Sequence, residues 1–311
     1  MSGANASTAT GTIATAERVN YVGRFAPSPT GRLHLGSLVT ATASYLEARC
    51  HGGRWLLRIE DVDTTRRVPG ASEQILQTLG AFGFAWDGPV LVQSERFDRY
   101  AAALGQLQRA GLCYACSCSR RQLESLHERG RYPCTCRHGA AGPGPTAIRL
   151  RVDEKAVLPI DDQLLGPQSF ALADYGDPII RRRDGLYAYQ LAVVVDDAES
   201  GVTAIVRGQD LLPSTGWQRA LQLALRLPAP SYTHLPLVVN ADGSKLAKSR
   251  HALPLDGAAA GRWLWSALLL LRQQPPPHLQ TAAVSRIWEW ALEHWQIETL
   301  RGLHELSLAE A

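Results

Sequence analysis

Lysine is scarce in this sequence, and two of its three lysines stand close together. The three are Lys155, Lys245 and Lys248, whereas the other basic side chains are arginine or histidine. The pair lies in the segment DGSKLAKS, whose Asp-Gly start is typical of a loop. Two ammonium groups on a loop can neutralise the charge that builds on reacting phosphate groups. The alternative is a solvated surface, which the scarcity of lysine elsewhere disfavours.

A histidine and a glycine, His34 and Gly36, stand where a turn-rich loop leads into a predicted helix. The N-terminus of a helix attracts phosphate because its backbone N–H groups point outward and its dipole is positive there. Glycine also lets a ligand approach the backbone closely. When His34 and Gly36 are considered alone, the alternative is that the histidine only caps the helix and binds no ligand. Combined with the lysine pair about two hundred residues later, the two residues predict a nucleotide pocket.

Five of the six cysteines fall in one short segment of the chain. The pairs Cys116-Ser-Cys118 and Cys134-Thr-Cys136 could place four thiolates around a tetrahedral zinc ion, with Cys113 as a nearby spare. Reduced thiols without a metal are the alternative. The paired spacing favours zinc.

The elements that must position these residues can be predicted from the hydrophobic pattern. Apolar runs predict strands at 19–25, 54–60, 203–206 and 235–240, and 187–196 is a further buried run. Apolar stripes at helical spacing predict helices at 35–46, 72–82, 94–112, 215–225, 263–271 and 284–295. This alternation predicts an α/β fold with a parallel sheet and crossover helices. Its ligand crevice should lie beyond the carboxyl ends of the strands.

The periodic pattern stops between Cys113 and about Arg151, where the sequence is rich in cysteine, arginine, glycine and proline. This composition predicts an insertion into the α/β domain. The predicted organisation is a flexible tail (1–19), the first half of a catalytic domain (20–112), the insertion (113–151), the second half with the lysine loop (152–249) and a helical C-terminal appendage (250–311).

Composition excludes several classes of protein. The chain has 311 residues, 45% of them hydrophobic, and a formal net charge of +3, so it can bury a sizeable core and is not disordered throughout. No apolar run reaches the roughly 18 residues that span a membrane. The first 19 residues lack the basic and apolar regions of a signal peptide. We therefore expect a soluble, cytoplasmic monomer with reduced thiols.

Taken together, the motifs resemble those of the class I aminoacyl-tRNA synthetases. The two signatures of that class are similar to HLGS, starting at His34, and KLAKS, starting at Lys245. The segments RFAPSPTG, RIEDVD, YQLAVVVDD and VRGQD are similar to the glutamyl branch of the class. Two residues depart from the signatures, since Ser37 replaces the second histidine of the first and Ala247 replaces a serine of the second.

The resemblance implies a Rossmann-like class I catalytic domain, which activates glutamate by attack of its carboxylate on the α-phosphate of ATP. The carboxylate is already ionised at neutral pH, so this step needs no general base. It implies that His34, Gly36 and Lys248 bind ATP together with Mg²⁺, and that His34, Lys245 and Lys248 are catalytic. It also implies a set of glutamate-binding residues, namely Arg24, Phe25, Ala26, Pro27, Ser28, Glu60, Tyr189 and Arg207.

Within that set, the arginines and the glutamate have separate roles. Arg24 and Arg207 would meet carboxylates, because a planar guanidinium matches a carboxylate. Glu60 would meet the amino group, and Tyr189 would shape the pocket. The alternative for each arginine is a structural ion pair, but their places at predicted strand ends favour a site.

The resemblance gives a different zinc set from the spacing of the cysteines alone. Short enzymes of the glutamyl branch carry Cys-x-Cys followed by Tyr-x-x-x-Cys, which matches Cys116, Cys118, Tyr132 and Cys136. This set implies one zinc ion per chain, with Cys134 as the rival fourth ligand. A phenolate can bind zinc because the metal lowers the pKa of the group that it binds.

By the same resemblance, the short length of sequence after the lysine loop implies which group accepts the activated glutamate. Ordinary members of the glutamyl branch carry helical domains after the lysine loop that grip the anticodon, and about 62 residues are too few for them. Short relatives instead transfer glutamate to the queuosine base in the anticodon of tRNA(Asp). ATP, L-glutamate and that tRNA are thus the expected partners, with no membrane.

Three alternatives stay open at this point. They are a minimal glutamyl-tRNA synthetase that charges a tRNA 3′ end, a nucleotidyl-transferase with a small-molecule acceptor, and a zinc-stabilised RNA-binding module without activity. The arginine-rich insertion favours a nucleic-acid partner. Lys248, Arg24 and Glu60 are all present, which argues against a decayed site.

Overall fold

The structure is a computed structural model that describes residues 20–119, 122, 135–139, 142–240 and 255–307. The strands in these ranges are β1 Val22–Phe25, β2 Arg54–Ile59, β3 Leu91–Val92, β4 Cys113–Cys116, β5 Ala147–Leu150, β6 Val157–Asp162, β7 Gly166–Ala171, β8 Ile179–Arg181, β9 Ala204–Gly208, β10 Ser231–Leu235, β11 Leu237–Val239 and β12 Glu305–Ser307. The helices are α1 Leu35–Cys50, α2 Ala71–Ala81, α3 Phe97–Arg109, α4 Leu172–Tyr175, α5 Tyr189–Glu199, α6 Leu212–Leu225, α7 Ala260–Leu270 and α8 Val284–His294.

Two mainly parallel sheets lie beside each other through β1 and β9. The first has the order β1-β2-β3 and the second the order β7-β6-β10-β9, in which only the β6–β7 pair is antiparallel. Backbone N–H of Thr203 donates to the carbonyl of Val22 at 2.9 Å, which places β9 beside β1. The predicted α/β fold with a parallel sheet is confirmed.

The crossover helices cover the sheets with apolar side chains. Helix α1 buries eleven of its sixteen residues, because it packs on β1, β2 and β9 and also against α7. Helix α5, which occupies most of the buried run predicted at 187–196, is buried from Leu191 to Asp197. None of the helices in the described part of the chain is both long and apolar enough to cross a membrane.

The predicted strand at 235–240 is wrong in one respect, because the chain there forms two strands. Strand β10 ends at Leu235 and pairs with β9, whereas β11 begins at Leu237 and pairs with β12. Pro236 lies between them and has no backbone N–H to donate to a sheet. The apolar run therefore changes sheets at the proline.

The predicted insertion contains regular strands at both of its ends. Strands β4 and β5 pair antiparallel, and β5 pairs with β8, which lies beyond Arg151 in the sequence. Each of these strands has four residues or fewer. Hydrophobic alternation over so few residues gives little signal, so pairing with distant strands decides their structure.

Candidate active site

One cavity of about 570 Å³ lies at the carboxyl ends of β1, β2 and β9. Its walls come from the loop after β1, the start of α1, the end of β9 and the residues around Pro236. It has the place that ligand sites take in parallel α/β sheets. Ten residues predicted to bind glutamate or ATP line it, namely Arg24, Phe25, Ala26, Pro27, Ser28, His34, Gly36, Glu60, Tyr189 and Arg207.

His34 caps the N-terminus of α1 at one side of the cavity. Its Nδ1 accepts a hydrogen bond from the backbone N–H of Ser37 at 3.3 Å, and its Nε2 lies 3.3 Å from the Ser37 hydroxyl. Burial lowers the pKa of His34, so the ring is neutral near pH 7. A Cβ on Gly36 would lie 3.2 Å from the His34 ring. Glycine therefore leaves room at this helix start.

Ser37, which departs from the class signature, takes part in the cap of α1. The side chain interacts with His34 and lines the cavity beside it. The departure leaves the helix cap intact.

Two arginines and two carboxylates form an ion-pair network under the cavity. Asp197 Oδ1 lies 2.6 Å from Arg58 Nη1 and 3.3 Å from Arg24 Nε, and Arg58 Nη2 lies 3.0 Å from Glu60 Oε1. Burial alone would raise the pKa of Asp197, but Arg58 and Arg24 lower it below its usual range. Asp197 therefore stays ionised and fixes both guanidinium groups.

The pKa of Glu60 is shifted in the opposite direction from that of Asp197, although both carboxylates pair with Arg58. Burial raises the pKa of the Glu60 carboxyl, and the nearby charges of Arg58 and Arg24 oppose that rise. Its backbone N–H donates to the Pro27 carbonyl at 2.9 Å, so the end of β2 holds the loop after β1. A carboxylate in this position can attract a substrate ammonium group.

Arg207 is 3% exposed at the end of β9 and is fixed by neutral groups. Its Nε donates to His234 Nε2 at 3.1 Å, Nη1 to Gln218 Oε1 at 2.8 Å and Nη2 to Thr215 Oγ1 at 2.7 Å. Tyr189 lines the cavity together with Glu60 and Arg207, and burial and the charge of Glu60 raise its pKa to about 12. Its phenol is therefore neutral at physiological pH.

The lysine loop lies outside the described residues. Lys245 and Lys248 fall between Asn240 and Leu255, where the description stops and resumes. Pro236, Leu237 and Val238 line the cavity just before that segment. The roles of the two lysines stay predictions.

Three cysteines gather at the end of β4, where a metal ion could bind. The Sγ atoms of Cys116, Cys118 and Cys136 lie within 4.8 Å of one another, and those of Cys118 and Cys136 are 3.4 Å apart. Thiolates that bind zinc tetrahedrally lie about 3.8 Å from each other, so this donor set fits the ion. Tyr132 and Cys134, the rival fourth ligands, lie outside the described residues.

Five residues of the site were not predicted as site residues, namely Arg58, Asp197, Thr215, Gln218 and His234. Asp197 ends the quoted YQLAVVVDD segment. Arg58 stands in the quoted RIEDVD segment, where its charge in a buried strand was a signal. His234 and the two residues of α6 carry no such signal. They lie 19 and 16 residues apart in the sequence and meet only around Arg207.

With the geometry described, comparison with known proteins decides the family. The family model for the catalytic domain of class I tRNA synthetases (E and Q) matches residues 20–265. The chain belongs to this family. The class I synthetase fold and the glutamyl branch predicted from the motifs are confirmed, and the protein is a ligase-type enzyme.

Relatives within the synthetase family match most of the chain. The glutamyl-Q tRNA(Asp) synthetase of Aromatoleum aromaticum is 51% identical over 282 residues, which cover 89% of each chain. The protein of the same name from Pseudomonas aeruginosa is 52% identical over 276 residues, covering 89% of this chain and 94% of its own. The solved glutamate-tRNA synthetase of Elizabethkingia anophelis has a TM-score of 0.77 at 25% identity, covering 94% of this chain and 69% of its own.

Proposed function

We propose that this synthetase activates L-glutamate with ATP and transfers the glutamyl group to the queuosine base in the anticodon of tRNA(Asp). The observation that carries the proposal is the 51% identity to the glutamyl-Q tRNA(Asp) synthetase of Aromatoleum aromaticum, over 89% of both chains. The cavity lined by ten residues that were predicted to bind glutamate or ATP also supports it.

In the first step, a carboxylate oxygen of glutamate attacks the α-phosphorus of ATP, and pyrophosphate leaves. Arg207 and Arg24 would bind carboxylate groups, and Glu60 would bind the ammonium group, which orients the attack. The N-terminus of α1 and His34 would lie against the phosphates. Lys245 and Lys248 would neutralise the charge that develops there.

In the second step, a hydroxyl group of the modified base attacks the carbonyl carbon of glutamyl-adenylate. The new C–O ester bond replaces the bond to phosphate, and AMP leaves and takes up the hydroxyl proton. A splayed loop base can reach such a site, because RNA-binding proteins recognise unstacked bases in loops. Mg²⁺ would enter with the phosphates of ATP and supply charge neutralisation there.

We propose zinc as the ion of the cysteine cluster, at one per chain. Cys116, Cys118 and Cys136 would bind it with Tyr132 as the fourth ligand. The ion would have a structural role, since it would tie β4 to the turn that carries Cys136. The division of the chain at residues 19, 112, 151 and 249, the cytoplasmic location and the monomeric state belong to the same proposal.

A second candidate is a minimal glutamyl-tRNA synthetase that charges a tRNA 3′ end. The TM-score of 0.77 with the glutamate-tRNA synthetase of Elizabethkingia anophelis favours it. The two activities share glutamate activation and differ only in the acceptor.

Transfer of labelled glutamate to two tRNA preparations separates the candidates. One preparation contains queuosine, and the other comes from cells that cannot make it. Label on the first preparation alone is expected. Equal label on both would support the minimal synthetase, and pyrophosphate exchange without any transfer would redirect the search to a small-molecule acceptor.

A further inference from the structure

Arg207 is a buried cation whose hydrogen-bond partners are all neutral. His234, Gln218 and Thr215 accept from its Nε, Nη1 and Nη2. Among the ion pairs of the described residues, none includes Arg207, although Arg24 and Arg58 both pair with Asp197. A guanidinium has five N–H groups. Two of them, one on each Nη atom, thus remain for a ligand.

A carboxylate from the substrate would supply acceptors for the two remaining N–H groups of Arg207 and a negative charge beside its guanidinium. It would accept the two remaining N–H groups side by side, and it would neutralise a charge that is costly to bury alone. An uncharged amide offers only one oxygen acceptor and no negative charge. Glutamate is therefore favoured over glutamine at this position.

His234 can serve as the neutral acceptor only because of Asp162. Both side chains are fully buried, and His234 Nδ1 lies 2.7 Å from Asp162 Oδ2. The carboxylate accepts the Nδ1 proton, which leaves Nε2 with its lone pair facing Arg207 Nε. Asp162 is itself fixed, since it also accepts from the backbone N–H groups of Leu164 and Leu165.

We propose that Asp162 and His234 are positioning residues that hold Arg207 through an uncharged acceptor, and thereby reserve its charge for the side-chain carboxylate of the amino acid. The inference rests on the proposed glutamate activity. A carboxylate in the place of His234 would neutralise Arg207 and remove its preference for an anion.

The same geometry gives a pH dependence. The titratable and charged groups around the His234 ring are Asp162, Arg207, Arg24 and, stacked at 5.9 Å between ring centres, Tyr232. The neutral hydroxyl of Thr215 also lies 3.3 Å from Nε2. Burial lowers the pKa of His234, Arg207 and Arg24 lower it further, and Asp162 opposes them. When the ring does protonate in acid, its Nε2–H points at the Nε–H of Arg207. The two donors repel, so glutamate binding weakens.

Two substitutions of the histidine separate positioning from simple packing. His234→Asn keeps a group near Asp162 but removes the acceptor for Arg207, and we expect KM for L-glutamate to rise roughly 10- to 100-fold with a smaller change in kcat. His234→Gln can place an oxygen near the Nε2 position, so it should recover most of this loss. In the His234→Gln variant, KM should also rise less at low pH, because the variant has no histidine to protonate.

Asp162→Asn gives a second test that keeps the size of the side chain. We expect a raised KM for L-glutamate and an acid limb shifted to lower pH, because the carboxylate no longer favours the protonated ring. His294→Gln, at the end of α8, is the matched control. Steady-state transfer to queuosine-containing tRNA gives kcat and KM, and thermal melting reports folding.

The outcomes distinguish this inference from the proposed function. If the wild-type enzyme does not use L-glutamate, both fail. If it does, and folded His234→Asn and Asp162→Asn variants keep the wild-type KM and pH profile, the positioning role is refuted. Loss of kcat alone, with KM and its pH profile unchanged, also refutes it.

Discussion

At the scale of single residues, burial decides what each charged group can do. Asp197 and Glu60 share Arg58, yet the pKa of Asp197 lies below its usual range and that of Glu60 above it. Asp197 accepts from two arginines and is fixed as an anion. Glu60 has only Arg58 as an ion-pair partner among the described residues. It is thus the carboxylate that can still respond to a substrate cation.

The raised pKa of Glu60 predicts an acid limb in glutamate binding. Glu60 must be ionised to attract the ammonium group, so KM should rise as pH falls, starting above the ordinary pKa of 4.5. Glu60→Gln should raise KM about tenfold at pH 7.5, the cost of one charge-assisted contact, and remove this part of the limb. Kinetics between pH 5 and pH 8 measure it, with the exposed Glu73→Gln as control; a Glu60→Gln variant with a wild-type pH profile would contradict the role.

The lysine loop predicts a residue whose loss stops chemistry without affecting the fold. Lys248→Ala should nearly abolish ATP–pyrophosphate exchange, because the ammonium group of Lys248 would act together with Lys245 and Mg²⁺ to neutralise the charge that builds on the reacting phosphates. Lys155→Ala, on an exposed turn, is the matched control in a chain with only three lysines. Exchange at the wild-type rate in Lys248→Ala would remove that residue from the mechanism.

At the scale of elements, short strands and turns bring the cysteines together. Strand β4 ends at Cys116, and the turn Thr135–Arg137 carries Cys136. Arg137 fastens this turn, since its Nη1 pairs with Asp177 at 3.1 Å and its Nη2 donates to the Val152 carbonyl at 2.6 Å. The thiols are therefore held by the antiparallel sheet rather than by the catalytic one.

Metal analysis tests the cluster. We expect about one zinc ion per chain from this tetrahedral arrangement, and loss of zinc with lower thermal stability in Cys118→Ala. Cys113→Ala should keep the ion, because its thiol is not part of the group of three. Comparing the zinc content of Tyr132→Phe and Cys134→Ala identifies the fourth ligand. If Tyr132 is that ligand, Tyr132→Phe should lose zinc; if only Cys134→Ala loses zinc, the assignment of Tyr132 is wrong. A metal-free protein of full activity would show that the site has no role in function.

At the scale of the whole molecule, the C-terminal helices share the core of the catalytic sheet. Trp288 of α8 packs on Tyr45 and Phe84, with ring centres 4.8 and 5.0 Å away, and donates its indole N–H to the Phe82 carbonyl at 2.9 Å. Trp295 donates to Glu47 of α1 at 2.7 Å. These contacts join residues 255–307 to α1, whose N-terminus lines the cavity.

Truncation of Trp288 should therefore destabilise the catalytic region and not only the C-terminal helices. Trp288→Ala should lower the free energy of unfolding by about 3–5 kcal/mol, as for large aromatic side chains in a core. Trp290→Ala, which removes a partly exposed ring, should cost less than about 2 kcal/mol. Urea unfolding followed by fluorescence and by loss of glutamate activation gives both values. Two separate transitions would contradict a shared core.

The sequence alone determined the family, the alternating elements and the ten residues that line the cavity. The elements, His34 and Gly36 follow from local patterns, since helix starts and strand ends are read from neighbours in the chain. The glutamate-binding residues were implied by the resemblance of the motifs to a known family. Only the tertiary structure decided how the charges are partnered. Asp197 under Arg24, and His234 with Asp162 beside Arg207, join residues far apart in sequence, and burial sets their protonation. The split at Pro236 and the sheet of β4, β5 and β8 also depended on distant partners, because short strands gain their stability from the strands that they pair with.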